Sequence, residues 1–457
     1  MATGRSLSPG EKKLLWAVSI FVVILGGPAV WRIVGEIDPA APVIPTAAMP
    51  SPNAREYYLK AYDAFVPLMI SRSSGRIGIS LSEIDDWDNR NTPVVVKNTV
   101  TFTEPNGQTV TLTSSEVMAL ARKNAPIFAT LRKGFQYEFR EIPCYSVGTS
   151  LPDLKRYWQY LLRYRQVACS LQFDALARRL NGDWNGAVND GLDGIRFGRD
   201  IPRGGITFGM FVGLGAQSIC RSEIWQSIDH LNAGQARAAT KRMEEVSAMH
   251  IPCTEALQEE QLAMQASLME VFHKPNWRGE LGRMDYTGDR FKQALHQLAR
   301  KRQIMQSYTR YMDAAIAYAK LPYPAPKHVT AFPAHLLPRT FAVSLQELVF
   351  DDTLNETQNN LLTISFALRA YKVEHGQYPK ALTELAPSYL HAIPADPFAA
   401  NGTLLYKLNG NSYILYSVGP DGKDDGGKAS ADGVANIKGY IINPGSTGDI
   451  VAGVNIR

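Results

Sequence analysis

Residues 415–427 read LYSVGPDGKDDGG, with carboxylates at Asp421, Asp424 and Asp425 and glycines at 419, 422, 426 and 427. Calcium takes six to eight hard oxygens, from carboxylates and backbone carbonyls, in a flexible loop. Three carboxylates within five positions repel one another, and a cation would relieve that repulsion. The glycines permit tight turns that aim carbonyls inward. The loop is not an EF-hand, because Lys423 stands where the third-position ligand belongs and a strand-like run precedes it. Asp/Gly runs are also ordinary solvated turns. The residues alone leave both readings open.

Other reactive side chains are dispersed. Cys144, Cys169, Cys220 and Cys253 form no CxxC, which leaves buried thiols or one or two disulfides. His250 and Cys253 make an HxxC with nothing near in sequence to complete a tetrahedral set. The eight histidines are scattered, and HExxH, GxSxG, a Walker A loop and a dinucleotide-binding glycine motif are lacking. No catalytic residue or organic cofactor is therefore expected. A net charge of +5 over 457 residues, without a nucleic-acid-binding signature, argues against nucleic acid as a partner. The cluster Arg300, Lys301 and Arg302 reads as a solvated helix face.

The elements that must carry these residues begin with an uncharged run, LLWAVSIFVVILGGPAVW, at 14–31. As a helix it spans about 27 Å, close to the hydrocarbon thickness. Arg5, Lys12 and Lys13 precede it, so the positive-inside rule places residues 1–13 in the cytoplasm and exports the rest. A transmembrane helix over 14–34 is expected, with a cleaved signal peptide as the rival. Residues 35–52 contain IDPAAPVIPTAAMPSP, a stiff proline-rich linker.

Residues 53–340 read as a mainly helical domain. Asn53 can cap a helix through YYLKAYDAFVPLMI. A β-hairpin is predicted from PVVVKNTVTF, the turn Glu104-Pro105-Asn106-Gly107 and QTVTLT, and Thr113 with Glu116 forms a capping-box pattern. Leu154, Tyr157, Trp158 and Leu161 lie on one face of a long helix that stops at Asn181-Gly182. The next stretch is similar to a tetratricopeptide helix-turn-helix, but no 34-residue period recurs. An irregular helical bundle is expected. LPYPAPKHVTAFPAHLLP at 321–338 marks a boundary, and 341–457 are expected to fold as a unit. There Leu354, Leu361, Ile364, Leu368 and Tyr371 mark one face of a helix ending near Gly376, followed by short strands. The whole is α+β and multidomain.

The C-terminal segment carries a resemblance. Its ordered pieces are Gly376, Tyr378 and Pro379; Pro394, Asp396 and Pro397; Ser417, Gly419, Asp421 and Gly422; and Asp449 with Ile450. This order is similar to the globular part of the major pseudopilin of type II secretion, the general secretion pathway protein G family. The resemblance covers about a quarter of the chain. It implies a pilin-like helix-plus-sheet fold and a structural calcium. By that analogy Asp421 is the first ligand and Asp449 the second, assisted by Ser417 and nearby carbonyls, with Asp424 and Asp425 as further candidates. The sequence departs from the family in several places. The loop is longer, an insertion with Asp432 precedes Gly448, and Phe398 stands where the family often has Trp. The prepilin leader and the continuous N-terminal helix are lacking.

The whole arrangement resembles bacterial envelope proteins with an N-terminal anchor, a helical middle and this C-terminal module. The expectation is a single-pass protein of the bacterial inner membrane, with its bulk outside the cytoplasm. Its role is structural or protein-binding, with envelope proteins as partners. The alternatives are a type II secretion or pilus component, and a hydrolase or ligand-binding protein with its site in the helical domain.

Overall fold

The computed structural model describes residues 38–43, 48–64, 68–72, 75–79, 94–96, 99–103, 109–144, 151–283, 300–323, 331–333, 342–399, 402–430 and 442–454. They form a mostly helical chain with small antiparallel sheets, an α+β arrangement. The apolar run 14–31 lies outside them, and among the described residues no helix is long and apolar enough to cross a membrane.

Helix α1 (Ala54–Asp63) starts where Asn53 accepts a hydrogen bond from Arg55 N. It stops short of the predicted run: Pro67 lacks the donor a helix needs, and Leu68–Arg72 form β1, paired with β2 (Gly75–Ile79). The predicted hairpin is β4 (Thr99–Thr103) and β5 (Thr109–Thr113), with β3 (Val94–Val96) on the outer side. Val100 faces Leu112 in this register, and both are buried against α2 (Ser114–Gly134) and the end of α3 (Leu151–Leu180). The capping box that opens α2 is complete: Thr113 Oγ1 accepts from Glu116 N, and Glu116 Oε2 accepts from Thr113 N at 2.8 Å.

In α3, Tyr157 and Leu161 are buried and Trp158 packs half-buried, while the side chain of Leu154 lies outside the described set. Gly182 ends the helix at φ +78°, and Asp183 caps α4 (Trp184–Asp200). Helices α4 and α5 (Thr207–Trp225) pack against each other through glycines. A Cβ on Gly194 would stand 2.1 Å from Cys220 Sγ, and one on Gly213 would stand 2.6 Å from the Gly198 carbonyl. Only glycines let these backbones approach so nearly.

Helices α6 (Ala233–Ser247), α7 (Cys253–Phe272), α8 (Trp277–Arg283) and α9 (Lys301–Ala319) complete the bundle. Lys301 is not on a solvated face. It is buried beside the Trp277 ring, and its ammonium bonds Asp38 Oδ1 at 2.8 Å. The expectation holds for its neighbour Arg302, which is exposed.

The last helix, α10 (Leu345–His375), ends on Gly376 in the left-handed conformation at φ +74°. The face read from the sequence meets the C-terminal sheet. Leu361, Ile364 and Leu368 are buried there, with Leu354 and Tyr371 packed at the edge. The sheet runs β6 (Leu405–Asn409), β7 (Ser412–Ser417), β8 (Ile450–Val451), with β7 central and β6 and β8 at its edges. The opposite face is also buried. Leu362, Phe366 and Ala370 join Val188, Leu192, Ile195 and Met243 of α4 and α6. One helix thus serves two cores, and the bundle and the C-terminal sheet share it.

Candidate functional site

Two places gather chemistry. The first is the acidic loop after β7. Gly419 turns at φ +71°, where a Cβ would meet the Gly448 carbonyl at 2.4 Å, so the loop returns directly onto the Asp449 strand. A parallel bridge pairs Ala429 with Asp449. Asp449 is buried under the loop, with Oδ2 accepting from Gly427 N at 2.6 Å and Oδ1 from Asp425 N at 3.2 Å. Burial pushes its carboxyl upward, and the two N–H groups oppose that shift.

Asp424 Oδ1 accepts from Gly426 N at 2.8 Å and from the Tyr416 hydroxyl at 3.0 Å, which hold this exposed carboxyl below its usual range. Asp421 Oδ1 accepts from Lys423 N at 3.1 Å, and Asp425 lies exposed at the loop tip. The chain therefore brings Asp449 to the loop across 22 residues. It does not draw three of these four carboxylates into one ligand set. The donors are the hard oxygens calcium prefers, and a bound ion would need backbone carbonyls to complete its shell.

Ser417 serves a different carboxylate. Its hydroxyl donates to Asp396 Oδ1 at 2.7 Å and accepts from Gly419 N at 3.2 Å. Asp396 also accepts from Phe398 N and Val418 N, each at 3.0 Å. Read from sequence as a turn residue, Asp396 is a buried bracket that ties the turn before the sheet to the end of β7. Asp432 lies outside the described residues.

The second place lies between the start of α7 and the first half of α10. His250 precedes Pro252, which opens α7, and Cys253 is its first residue. Asp352 and Glu356 stand four residues apart on α10, hence on one face. His250 Nε2 is 2.9 Å from Asp352 Oδ1. Arg199, at the end of α4, holds Glu356 with both terminal nitrogens, Nη1 to Oε1 at 2.5 Å and Nη2 to Oε2 at 2.9 Å. Among the described residues, His250, Asp352 and Glu356 are the one set of His, Cys, Asp or Glu side chains whose ligand atoms all lie within 4.8 Å of one another.

The electrostatics of this place exclude one chemistry. Burial and the Asp352 carboxylate push the Cys253 thiol up to about 12, so it remains protonated at neutral pH. A nucleophilic cysteine needs a lowered thiol pKa and a histidine base. Here both Cys253 and His250 turn to Asp352 instead. Burial pulls the His250 imidazole down, but the Asp352 hydrogen bond and the Glu356 charge outweigh it and the net shift is upward. What the arrangement can do is hold a cation or lock helices by charge.

The HxxC was visible in the sequence. Its completing carboxylates lie about a hundred residues on, spaced like any acidic pair on a solvated helix. No local signal joins them to His250. No protein-family model matches this chain, and comparison with curated proteins and with solved structures finds no match either.

Proposed function

We propose that this chain is a single-pass protein of the bacterial cell envelope, tethered by residues 14–34, whose pseudopilin-like C-terminal module binds another protein outside the cytoplasm. The observation that carries the reading is the outer edge of β6, to which no strand pairs among the described residues. This strand is one of the two edge strands of its sheet and is exposed over Lys407, Leu408 and Asn409. A strand edge presents unpaired N–H and C=O groups to which an extended segment of a partner can add. Half-buried Tyr406 of β6 stacks on Tyr413, which Tyr378 meets edge-on, and tyrosine suits interfaces because its ring is apolar and its hydroxyl polar.

A calcium ion at the acidic loop belongs to this reading. It is supported by the donor chemistry of Asp421, Asp424, Asp425 and Asp449 and by the left-handed glycines around them. It would order the side of the sheet opposite β6. Assembly into a pilus is the weaker reading, because the bundle already covers the face of α10 that carries Leu362 and Phe366.

The test is site-specific photo-crosslinking in intact cells, with the full-length chain carrying the probe at Leu408 or, as control, at Lys241 on exposed α6. One discrete adduct from Leu408 and none from Lys241 is expected. Equal labelling at both sites overturns the docking edge. A reporter fused after Arg457 should be active only outside the cytoplasm, and cytoplasmic activity overturns the topology.

A further inference from the structure

We propose that His250, Asp352 and Glu356 bind a first-row divalent cation, zinc by their donor set, which ties the start of α7 to the first half of α10. An imidazole nitrogen with two carboxylates is a borderline set, suited to zinc rather than to the all-oxygen shells of calcium or magnesium. The three ligand atoms already lie within 4.8 Å of one another, His250 from the segment before α7 and the two carboxylates from α10. Donors around a tetrahedral zinc stand about 3.4 Å apart, given metal–ligand distances near 2.1 Å. Side-chain rotation closes the difference, with the His250–Asp352 hydrogen bond opening to admit the ion.

A second observation points the same way. The first half of α10 carries four carboxylates, Glu347, Asp351, Asp352 and Glu356. Against them stand the guanidinium of Arg199 on Glu356 and, deeper, that of Arg221. Negative charge is left over on this face of α10. A divalent cation neutralises this surplus.

Arg199 does not block the site. Each carboxylate oxygen has two lone pairs, and the guanidinium uses one on each oxygen of Glu356. It becomes an outer partner that orients Glu356, as second-sphere groups do at metal centres. The ion is structural.

The experiment titrates the chelator-stripped full-length chain with zinc in a calorimeter, with calcium in excess to occupy the acidic loop. One zinc per chain and a raised melting temperature are expected. His250→Ala and Asp352→Asn should each weaken binding about tenfold or more, while Glu245→Gln, exposed on α6, leaves it unchanged. Binding should also weaken as pH falls and the imidazole protonates. Should Asp352→Asn fail to fold, Glu356→Gln replaces it, since its amide oxygen still accepts from Arg199. No zinc uptake overturns the proposal. So does a His250→Ala chain that binds zinc like the parent, which assigns the ion to exposed histidines such as His273.

Discussion

Arg221 of α5 is wholly buried, and its guanidinium donates to Asn359 of α10. It donates also to Asn355 Oδ1 at 3.1 Å and Gln358 Oε1 at 2.7 Å. The amide groups of Asn355 and Asn359 in turn donate to Gln217 Oε1, each at 3.0 Å. A fixed positive charge is thus held by neutral amides between the bundle and the helix of the C-terminal sheet. Burial, with Arg199 nearby, pulls the guanidinium down to about 9.

Arg221→Met should lower stability by about 3 kcal/mol or more, because it strands three buried amide acceptors. Denaturant titration monitored separately in the bundle and in the sheet should show both unfolding earlier and together. Loss confined to one of them would mean that the shared helix does not couple the two cores.

A fragment comprising residues 342–457 removes the cover from Leu362, Phe366 and Ala370. It should self-associate or bind a hydrophobic dye, whereas the full chain does not. Restoring polarity with Leu362→Gln and Phe366→Gln should render the fragment monomeric and cooperative. A parent fragment that is already monomeric and melts sharply would contradict this.

Asp396 accepts three hydrogen bonds within the C-terminal core. Asp396→Ala leaves those donors without a partner and should cost about 2–4 kcal/mol, whereas Ser417→Ala removes one bond and should cost about 1 kcal/mol. Chemical denaturation of both variants tests the ranking. If Ser417 served chiefly as a calcium ligand, its effect would instead vanish in chelator.

The acidic loop separates two kinds of aspartate. Asp449→Ala should lower the melting temperature with or without calcium, since it removes the buried carboxylate that the N–H groups of Asp425 and Gly427 bond. Asp421→Ala should act only when calcium is present, because among the described residues its carboxylate accepts only from the nearby Lys423 N–H. A chain that melts at one temperature in calcium and in chelator would make the loop a solvated turn.

The raised His250 pKa carries a pH dependence in metal-free buffer. The folded state holds the imidazole proton more tightly than the unfolded chain, where the pKa is about 6.5. Its contribution to stability is therefore full below about pH 6.5 and disappears as pH rises through the folded value. His250→Gln should flatten this part of the stability–pH curve. A parent curve with no fall above neutral pH would sink the assignment.

What the sequence by itself determined is what neighbours within a few residues decide. The Thr113–Glu116 capping box, the hairpin strands, the stop at Gly182, the left-handed end at Gly376 and the sheet-facing stripe of α10 are of this kind. Caps and turns depend on local hydrogen bonds and backbone freedom, and a stripe shows itself by its period. Tertiary structure alone decided that α10 is buried on both sides. Its second stripe, Leu362, Phe366 and Ala370, fills the gaps in the first, so the helical period fades in a helix surrounded by core. It alone decided that Ser417 faces Asp396, that Lys301 lies under the Asp38 segment, and that His250 meets Asp352 and Glu356. Each of these pairs joins residues 21 to 263 positions apart, or in the last case about a hundred. Their side chains are ordinary surface types in sequence. Only the packing of separate helices gives them a common neighbourhood, and with it their altered charge and their chemistry.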